Sequence, residues 1–266
     1  MLILSLIVLG IIVGSLINIL ADDLPRRLTP RFPPRCSNCD SSLHPSRRIA
    51  ILGVLTNHIK CLTCESSLKL RSLIVEIVSP LMLLYVYQRF DLTLKFGLLA
   101  LLLECFLLIA VIDLEHRLIL YVTIIPTAVI ATLYGLFGAG YDLQKILIGG
   151  VVGFSAVYVI YFFGRVFGVV MARIRGEALD EIPFGGGDVN LAGVIGLAVG
   201  WSGILLALFI AVMSGGISAA IYLIISSIRR RYNLFTPIPY GPFLILGAVI
   251  LLLFADEIRA RSGVSR

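Results

Sequence analysis

Two aspartates in an otherwise apolar chain are the first residues that could do chemistry. Asp188 follows three glycines in Phe184-Gly185-Gly186-Gly187-Asp188-Val189-Asn190-Leu191, where a polar loop gives way to an apolar run. Asp113 closes another apolar run in Ala110-Val111-Ile112-Asp113-Leu114-Glu115-His116-Arg117. A charged group at the edge of a bilayer is expensive, so an acid placed there is a candidate functional residue. Gly185 and Gly187 let the loop bend sharply and let another backbone come close. Two carboxylates in one site do not both ionise readily. One can then act as base toward a water while the other, still protonated, polarises a peptide carbonyl. Such a hydrolysis needs neither a metal nor a covalent intermediate. The bland alternative for either residue is a solvated position at a loop edge. The glycine context sets Asp188 apart, whereas Asp113 gains weight only as its partner. Asp113 falls at the C-terminal end of its span and Asp188 at the N-terminal start of its own, where unpaired N–H groups favour an anion. The expected roles are therefore Asp188 as base and Asp113 as acid.

A second cluster is built from sulfur. Cys36-Ser37-Asn38-Cys39 and Cys61-Leu62-Thr63-Cys64 are two C-x-x-C pairs with 21 residues between them. Four thiolates at this spacing suit a structural zinc ion, which needs no large core around it. The alternatives are two disulfides or unused thiols, and a cytoplasmic location disfavours the disulfides. The fifth cysteine, Cys105, lies inside an apolar run and is read as a small core residue.

The elements that must position these groups are membrane helices. The chain has 266 residues, of which 59% are hydrophobic and 14% charged, where a soluble domain would carry roughly 25% charged residues. Apolar runs near the length of a bilayer recur along it. The expected fold class is all-α, a polytopic membrane bundle of about eight spans at 1–21, 72–88, 96–113, 118–139, 146–168, 188–202, 203–226 and 242–256. The run from Met1 to Leu20 has no basic start and no A-x-A cleavage site, so it reads as a retained span. The expected organisation is a first transmembrane helix at 1–21, a cytoplasmic module at 22–71 holding the C-x-x-C pairs, a transmembrane core at 72–256, and a polar tail at 257–266. With the N-terminus outside, sixteen Lys and Arg fall inside and six outside, the sense of the positive-inside bias. That orientation puts Asp113 and Asp188 at the cytoplasmic face of a cytoplasmic (inner) membrane. The weakest span is the short, glycine-rich 188–202, which could be re-entrant. The net charge of +6 reads as flanking charge. No basic stripe is interleaved with aromatics, so no nucleic-acid partner is expected.

Other polar groups have ordinary readings beside functional ones. Glu76 and Glu104 lie within spans, where a hydrogen bond inside the bundle competes with a site role. Gly149, Gly150, Gly153, Gly215 and Gly216 suit close helix packing. His44, His58 and His116 are not spaced as metal ligands. His116 reads as a solvated neighbour of Asp113.

The chain resembles the type IV prepilin peptidases, over nearly its full length. The resemblance rests on six elements in order: Gly14-Ser15-Leu16-Ile17-Asn18 with Leu24-Pro25-Arg26, the two C-x-x-C pairs, Arg71-Ser72-Leu73-Ile74-Val75-Glu76, Ile112-Asp113, Gly185-Gly186-Gly187-Asp188, and Ile238-Pro239-Tyr240-Gly241-Pro242-Phe243. It implies Gly-x-Gly-Asp intramembrane aspartyl proteolysis by Asp113 and Asp188, with 72–256 as the peptidase core. The substrates it implies are the basic leaders of type IV prepilins and pseudopilins. It also implies N-methylation of the new N-terminus with S-adenosylmethionine, though no glycine-rich loop for that donor can be pointed to. Three positions depart from the family pattern. Leu120 and Tyr121 stand where a Pro-Asp pair is usual, and Asn190 stands where a lysine is usual. Two other readings compete: a peptidase without methyltransferase activity, and a non-enzymatic assembly factor or transporter whose aspartates bind ions. A transporter would favour midplane polar groups and internal repeats, and the sequence has no clear repeat.

Overall fold

The computed structural model describes the chain except residues 28, 29, 31–33, 37, 42, 176–184, 229–238 and 263–266, and the side chains of 45, 46, 171–175 and 255–262. Ser37, Phe184, Arg229 to Arg231 and Ile238 therefore lie outside the described residues. Among the described residues, eight α-helices follow in order: α1 Leu2–Asp23, α2 Ala50–Leu55, α3 Leu70–Phe90, α4 Leu94–His116, α5 Tyr121–Leu133, α6 Leu143–Arg175, α7 Gly186–Ile228 and α8 Gly241–Ser262. A π-helical turn, Tyr134–Gly138, extends α5. All but α2 and α8 are long and apolar enough to cross a membrane, and α8 has a shorter apolar stretch at Gly241–Phe254. The protein is an all-α, multi-pass membrane bundle carrying a small four-cysteine module.

The count of about eight spans depends on α7. Its 43 residues would extend about 65 Å as one straight helix, twice the hydrocarbon thickness. Gly200 interrupts it with φ 73° and ψ 174°, a conformation that strongly favours glycine. Contacts on both sides show that the chain doubles back there. A Cβ on Gly149 would collide with Gly196 and Gly200, and one on Gly153 with Ala192 and, at 3.0 Å, with Ile204 Cγ1. Val157, Val189 and Ala192 form one buried cluster, and Leu208 packs on it. Moving along α6 thus meets falling numbers before Gly200 and rising numbers after it. The first arm, 186–199, is only about 21 Å long, the physical basis for its weak appearance in the sequence.

By contacts, the chain divides into two units, 1–118 and 119–266. In the first, α1 lies close on α3. A Cβ on Gly14 would sit 2.9 Å from Glu76 Cα, and one on Gly10 2.6 Å from Pro80 Cβ; two glycines four apart give a flat strip for such an approach. The Ser79 hydroxyl bridges the Gly10 carbonyl (2.9 Å) and Glu104 Oε1 (2.8 Å). Glu76 accepts hydrogen bonds from the Ala50 and Ile51 N–H groups at 2.8 and 2.9 Å. Those are the first two residues of α2, whose N–H groups have no partner within the helix. One buried carboxylate thereby ties the cysteine-bearing segment to a membrane helix. At the start of α3, Lys69 and Arg71 each pair with Asp22 (2.8 and 3.1 Å) and with Glu115 (3.5 and 2.7 Å), joining the ends of α1, α3 and α4.

In the second unit, α7 packs on α6 and on α8. Gly247 of α8 lies so close to Ala207 that a Cβ would collide with its carbonyl. Gly149, Gly150, Gly153 and Gly215 are all packed where a Cβ would crowd a neighbour, whereas Gly216 faces open space. Four of the five glycines expected at packing positions are thus in close contacts.

Candidate functional site

Asp188 is the third residue of α7 and is buried, 7% exposed. Its position is set by the loop before it. The Gly185 N–H donates to Asp188 Oδ2 at 3.0 Å, and the Asp188 N–H donates to the Gly185 carbonyl at 3.1 Å. An acid at the third helical position that reaches back to the capping residue's N–H is half of a capping box. The carboxylate is thereby held over the first turn of α7, where helix N–H groups favour negative charge. Gly187 is required by contact: a Cβ there would lie 2.7 Å from Ile119 Cβ. Gly185 is exposed, with only Asp188 Oδ2 (3.7 Å) and the Gly187 backbone N–H (3.8 Å) within reach of an added Cβ. Asn190, at the position where the resemblance expects a lysine, donates from Nδ2 to the Gly186 carbonyl at 3.1 Å. It too braces the glycine turn.

Tyr240 is a group near Asp188 that sequence reasoning quoted only as part of a motif. It directly precedes α8. Burial first, and then the charge of Asp188, push its phenol above the usual range. The Tyr240 hydroxyl therefore stays protonated near neutral pH and can donate a hydrogen bond. Its signal in the sequence is an aromatic residue with a hydroxyl between Pro239 and Gly241, at a helix start.

Asp113 lies in the last turn of α4 and is 5% exposed. Its carbonyl accepts from the Arg117 N–H at 2.8 Å, and Arg117 ends the helix in the left-handed region with φ 54°. Two residues on, Glu115 pairs with Arg71, and His116 Nε2 lies 3.7 Å from the same carboxylate. His116 is thus half-buried beside Glu115. Asp113 belongs to the first unit and Asp188 to the second. Leu120 and Tyr121, where the resemblance expects Pro-Asp, begin α5, with Tyr121 exposed.

The four cysteines do come together. Their sulfurs all lie within 4.8 Å of one another. Cys36 and Cys64 are 3.6 Å apart, and Cys39 and Cys61 are 3.7 Å apart. A disulfide would hold them at about 2.0 Å. Four sulfurs at about 2.3 Å from a central ion in a tetrahedron would be about 3.8 Å apart. The set can hold a metal ion, and its donors are all soft thiolates. The two knuckles repeat one backbone design. Cys36 N–H donates to the Ser41 carbonyl (2.9 Å) and Cys61 N–H to the Ser66 carbonyl (3.0 Å). Asp40 and Glu65 both take positive φ, 58° and 53°. Ser41 Oγ contacts Cys39 and Cys61, while Ser66 Oγ contacts Cys36 and Cys64. The Ser41 hydroxyl, followed by backbone N–H groups of Cys64 and Thr63, pushes the Cys61 thiol down to about 5, which favours the thiolate that a metal needs. Sequence analysis missed the serines; their signal is the repeat C-x-x-C-acid-Ser.

Comparison with known proteins finds two family models that match successive parts of the chain. Residues 8–90 match the family model described as the bacterial peptidase A24 N-terminal domain. Residues 100–221 match the model of the type IV leader peptidase family. A prepilin leader peptidase/N-methyltransferase of Stutzerimonas stutzeri is 26% identical, with 97% of this chain and 92% of that protein aligned. Proteins of the same description from Pseudomonas aeruginosa and Bacillus subtilis are 25% and 24% identical, covering 96% and 95% of this chain and 91% and 94% of their own lengths. No solved structure matches the chain significantly.

Proposed function

We propose, from the match to the type IV leader peptidase family model, that the chain is a member of that family and a prepilin leader peptidase/N-methyltransferase working at the cytoplasmic face of the inner membrane. It cuts the leader from type IV prepilins or pseudopilins as an aspartic endopeptidase within the bilayer and methylates the new N-terminus. The observation that carries this reading is the family match over 100–221, which spans two buried carboxylates, Asp113 and Asp188, at the ends of apolar helices.

We take Asp113 and Asp188 as the catalytic pair, with Gly185 and Gly187 shaping the second position. One carboxylate removes a proton from water, whose oxygen attacks the scissile carbonyl carbon. The other, protonated, donates to the carbonyl oxygen. Collapse of the tetrahedral intermediate breaks the C–N bond, and a proton passes to the leaving amine. The Gly185 N–H donates to Asp188 Oδ2 and fixes that oxygen over the first turn of α7. Cys36, Cys39, Cys61 and Cys64 hold zinc, which stabilises the module and takes no part in these steps. Bound S-adenosylmethionine would supply the methyl group to the newly exposed amine.

Co-expression with a type IV prepilin should convert the precursor to its leader-free form, and persistence of full-length precursor beside correctly inserted enzyme would contradict the reading. Orientation is tested separately in a background without native cysteines. Ser37→Cys should be shielded from an impermeant outside thiol reagent, and Ser262→Cys should be labelled. The reverse pattern would move both aspartates to the opposite face.

A further inference from the structure

A hydroxyl in the second unit has no part in the two-aspartate mechanism. The two arms of α7 double back at Gly200, so Asp188 on the first arm and Gly215 on the second both lie toward the end away from that turn. The second arm and α8 run antiparallel: Gly247 meets Ala207, and Tyr240 meets Gly215. That register brings the start of α8 to the same end of the unit as Asp188. A Cβ on Gly215 would lie 3.1 Å from Tyr240 Cε2 and 3.6 Å from Phe243 Cδ2, so the phenol ring rests against the bare backbone of α7. The Tyr240 carbonyl accepts from the Phe243 and Leu244 N–H groups at 3.0 and 3.2 Å, which ties its backbone to the first turn of α8. Its ring packs on that of Phe243 with centroids 6.2 Å apart. Tyr240 is half-buried, held in place and still partly accessible. The charge of Asp188 acts on its phenol, and of the neighbours named only Asp188 titrates.

We propose that Tyr240 is a further catalytic residue, whose hydroxyl donates a hydrogen bond to the scissile carbonyl oxygen beside Asp188. The inference rests on the aspartic-peptidase reading and adds a residue to it. A phenol that keeps its proton next to a carboxylate is a neutral donor. Spent on Asp188 itself, that donor would weaken the base, because the Gly185 N–H already stabilises the anion. Spent on the carbonyl oxygen, it meets negative charge that grows as water adds, so the bond strengthens in the transition state. No proton leaves Tyr240. The water's proton goes to one aspartate, the other aspartate serves the same carbonyl oxygen, and the leaving amine is protonated as before. Phenylalanine at 240 would keep the ring against Gly215 and remove only this donor.

The test measures cleavage of a purified type IV prepilin by the full-length, zinc-loaded protein in nanodiscs. Tyr240→Phe should lower kcat about 10–100-fold and leave KM little changed, as expected for an interaction made only in the transition state. The loss is smaller than the roughly 10²–10³-fold of a single oxyanion donor, because a protonated aspartate still serves the same oxygen. Wild-type kcat in Tyr240→Phe, or a loss confined to KM, overturns the proposal. Full activity in Tyr240→Phe with loss in Tyr240→Leu assigns the ring to packing alone and also overturns it. A second measurement keeps both ring and hydroxyl and so avoids any folding defect. Wild-type protein carrying 3,5-difluorotyrosine at 240 has a more acidic phenol. Its cleavage rate should fall from neutral to mildly alkaline pH where that of the ordinary protein does not, and identical profiles overturn the proposal. Activity in Tyr240→Phe beside loss in Asp188→Asn removes only this residue. A wild type that leaves prepilin uncut removes the peptidase reading and this proposal with it.

Discussion

Asp113→Asn and Asp188→Asn each stop leader cleavage while the chain remains folded in the membrane. Asparagine keeps the shape of aspartate and can still accept and donate hydrogen bonds, but it neither ionises nor gives up an acidic proton. A positioned acid or base typically contributes about 10²–10⁴-fold to rate, so each single substitution should lower cleavage by at least that factor. The two residues act as one unit in the proposed mechanism, so the double substitution should be little worse than either single one. Full insertion and retained zinc would show that the loss is chemical. Cleavage near the wild-type rate by either folded variant would leave the proposed pair without a mechanism. The two substitutions also separate this enzyme from a non-enzymatic transporter, for which prepilin processing would not depend on either acid.

Purification without chelators should yield about one zinc per chain, and alanine at Cys36, Cys39, Cys61 or Cys64 should abolish stoichiometric binding. The expected effect is large because metal binding supplies apparent free energies of about 10–16 kcal/mol in small zinc modules. The described part of 24–69 has little regular structure of its own, two short 3-10 turns, the six-residue α2 and one isolated bridge between Lys60 and Ser67, and beyond the sulfurs it is held by single hydrogen bonds such as those of Glu76 and Arg47. Metal loss should therefore open this segment to protease while the membrane helices stay protected. Metal analysis checks the first statement and limited proteolysis the second. Zinc-free wild-type protein would contradict the assignment.

Much of this was legible in the sequence because hydropathy and local spacing carry it. Apolar runs located the long helices, and the two C-x-x-C pairs located the sulfur cluster that the fold assembles. Features that depend on contacts far along the chain were not legible. Gly193, Gly196, Gly200 and Gly203 all offered places for the chain to turn. Only packing against α6 selects Gly200, so the break comes before the expected boundary at 202. Glu76 was open between a site role and a bundle hydrogen bond. Its partners are the first N–H groups of α2, 25 and 26 residues away, in a helix too short to announce itself. The backbone of α6 continues to Arg175, past the expected end at 168. The residues just past 168 are themselves apolar, Val169 to Ala172, and a bilayer-length limit on a span does not end a helix. Cys105 and Cys36 are identical in type, and only the second has three sulfurs beside it.

The most direct measurement of the central claim is mass spectrometry of the pilin N-terminus from cells that co-express a prepilin with this chain. The account predicts a mature pilin lacking its leader and carrying one methyl group on the new α-amine, and neither change with Asp188→Asn. A precursor that keeps its leader in the presence of inserted, zinc-bound wild-type protein would contradict it.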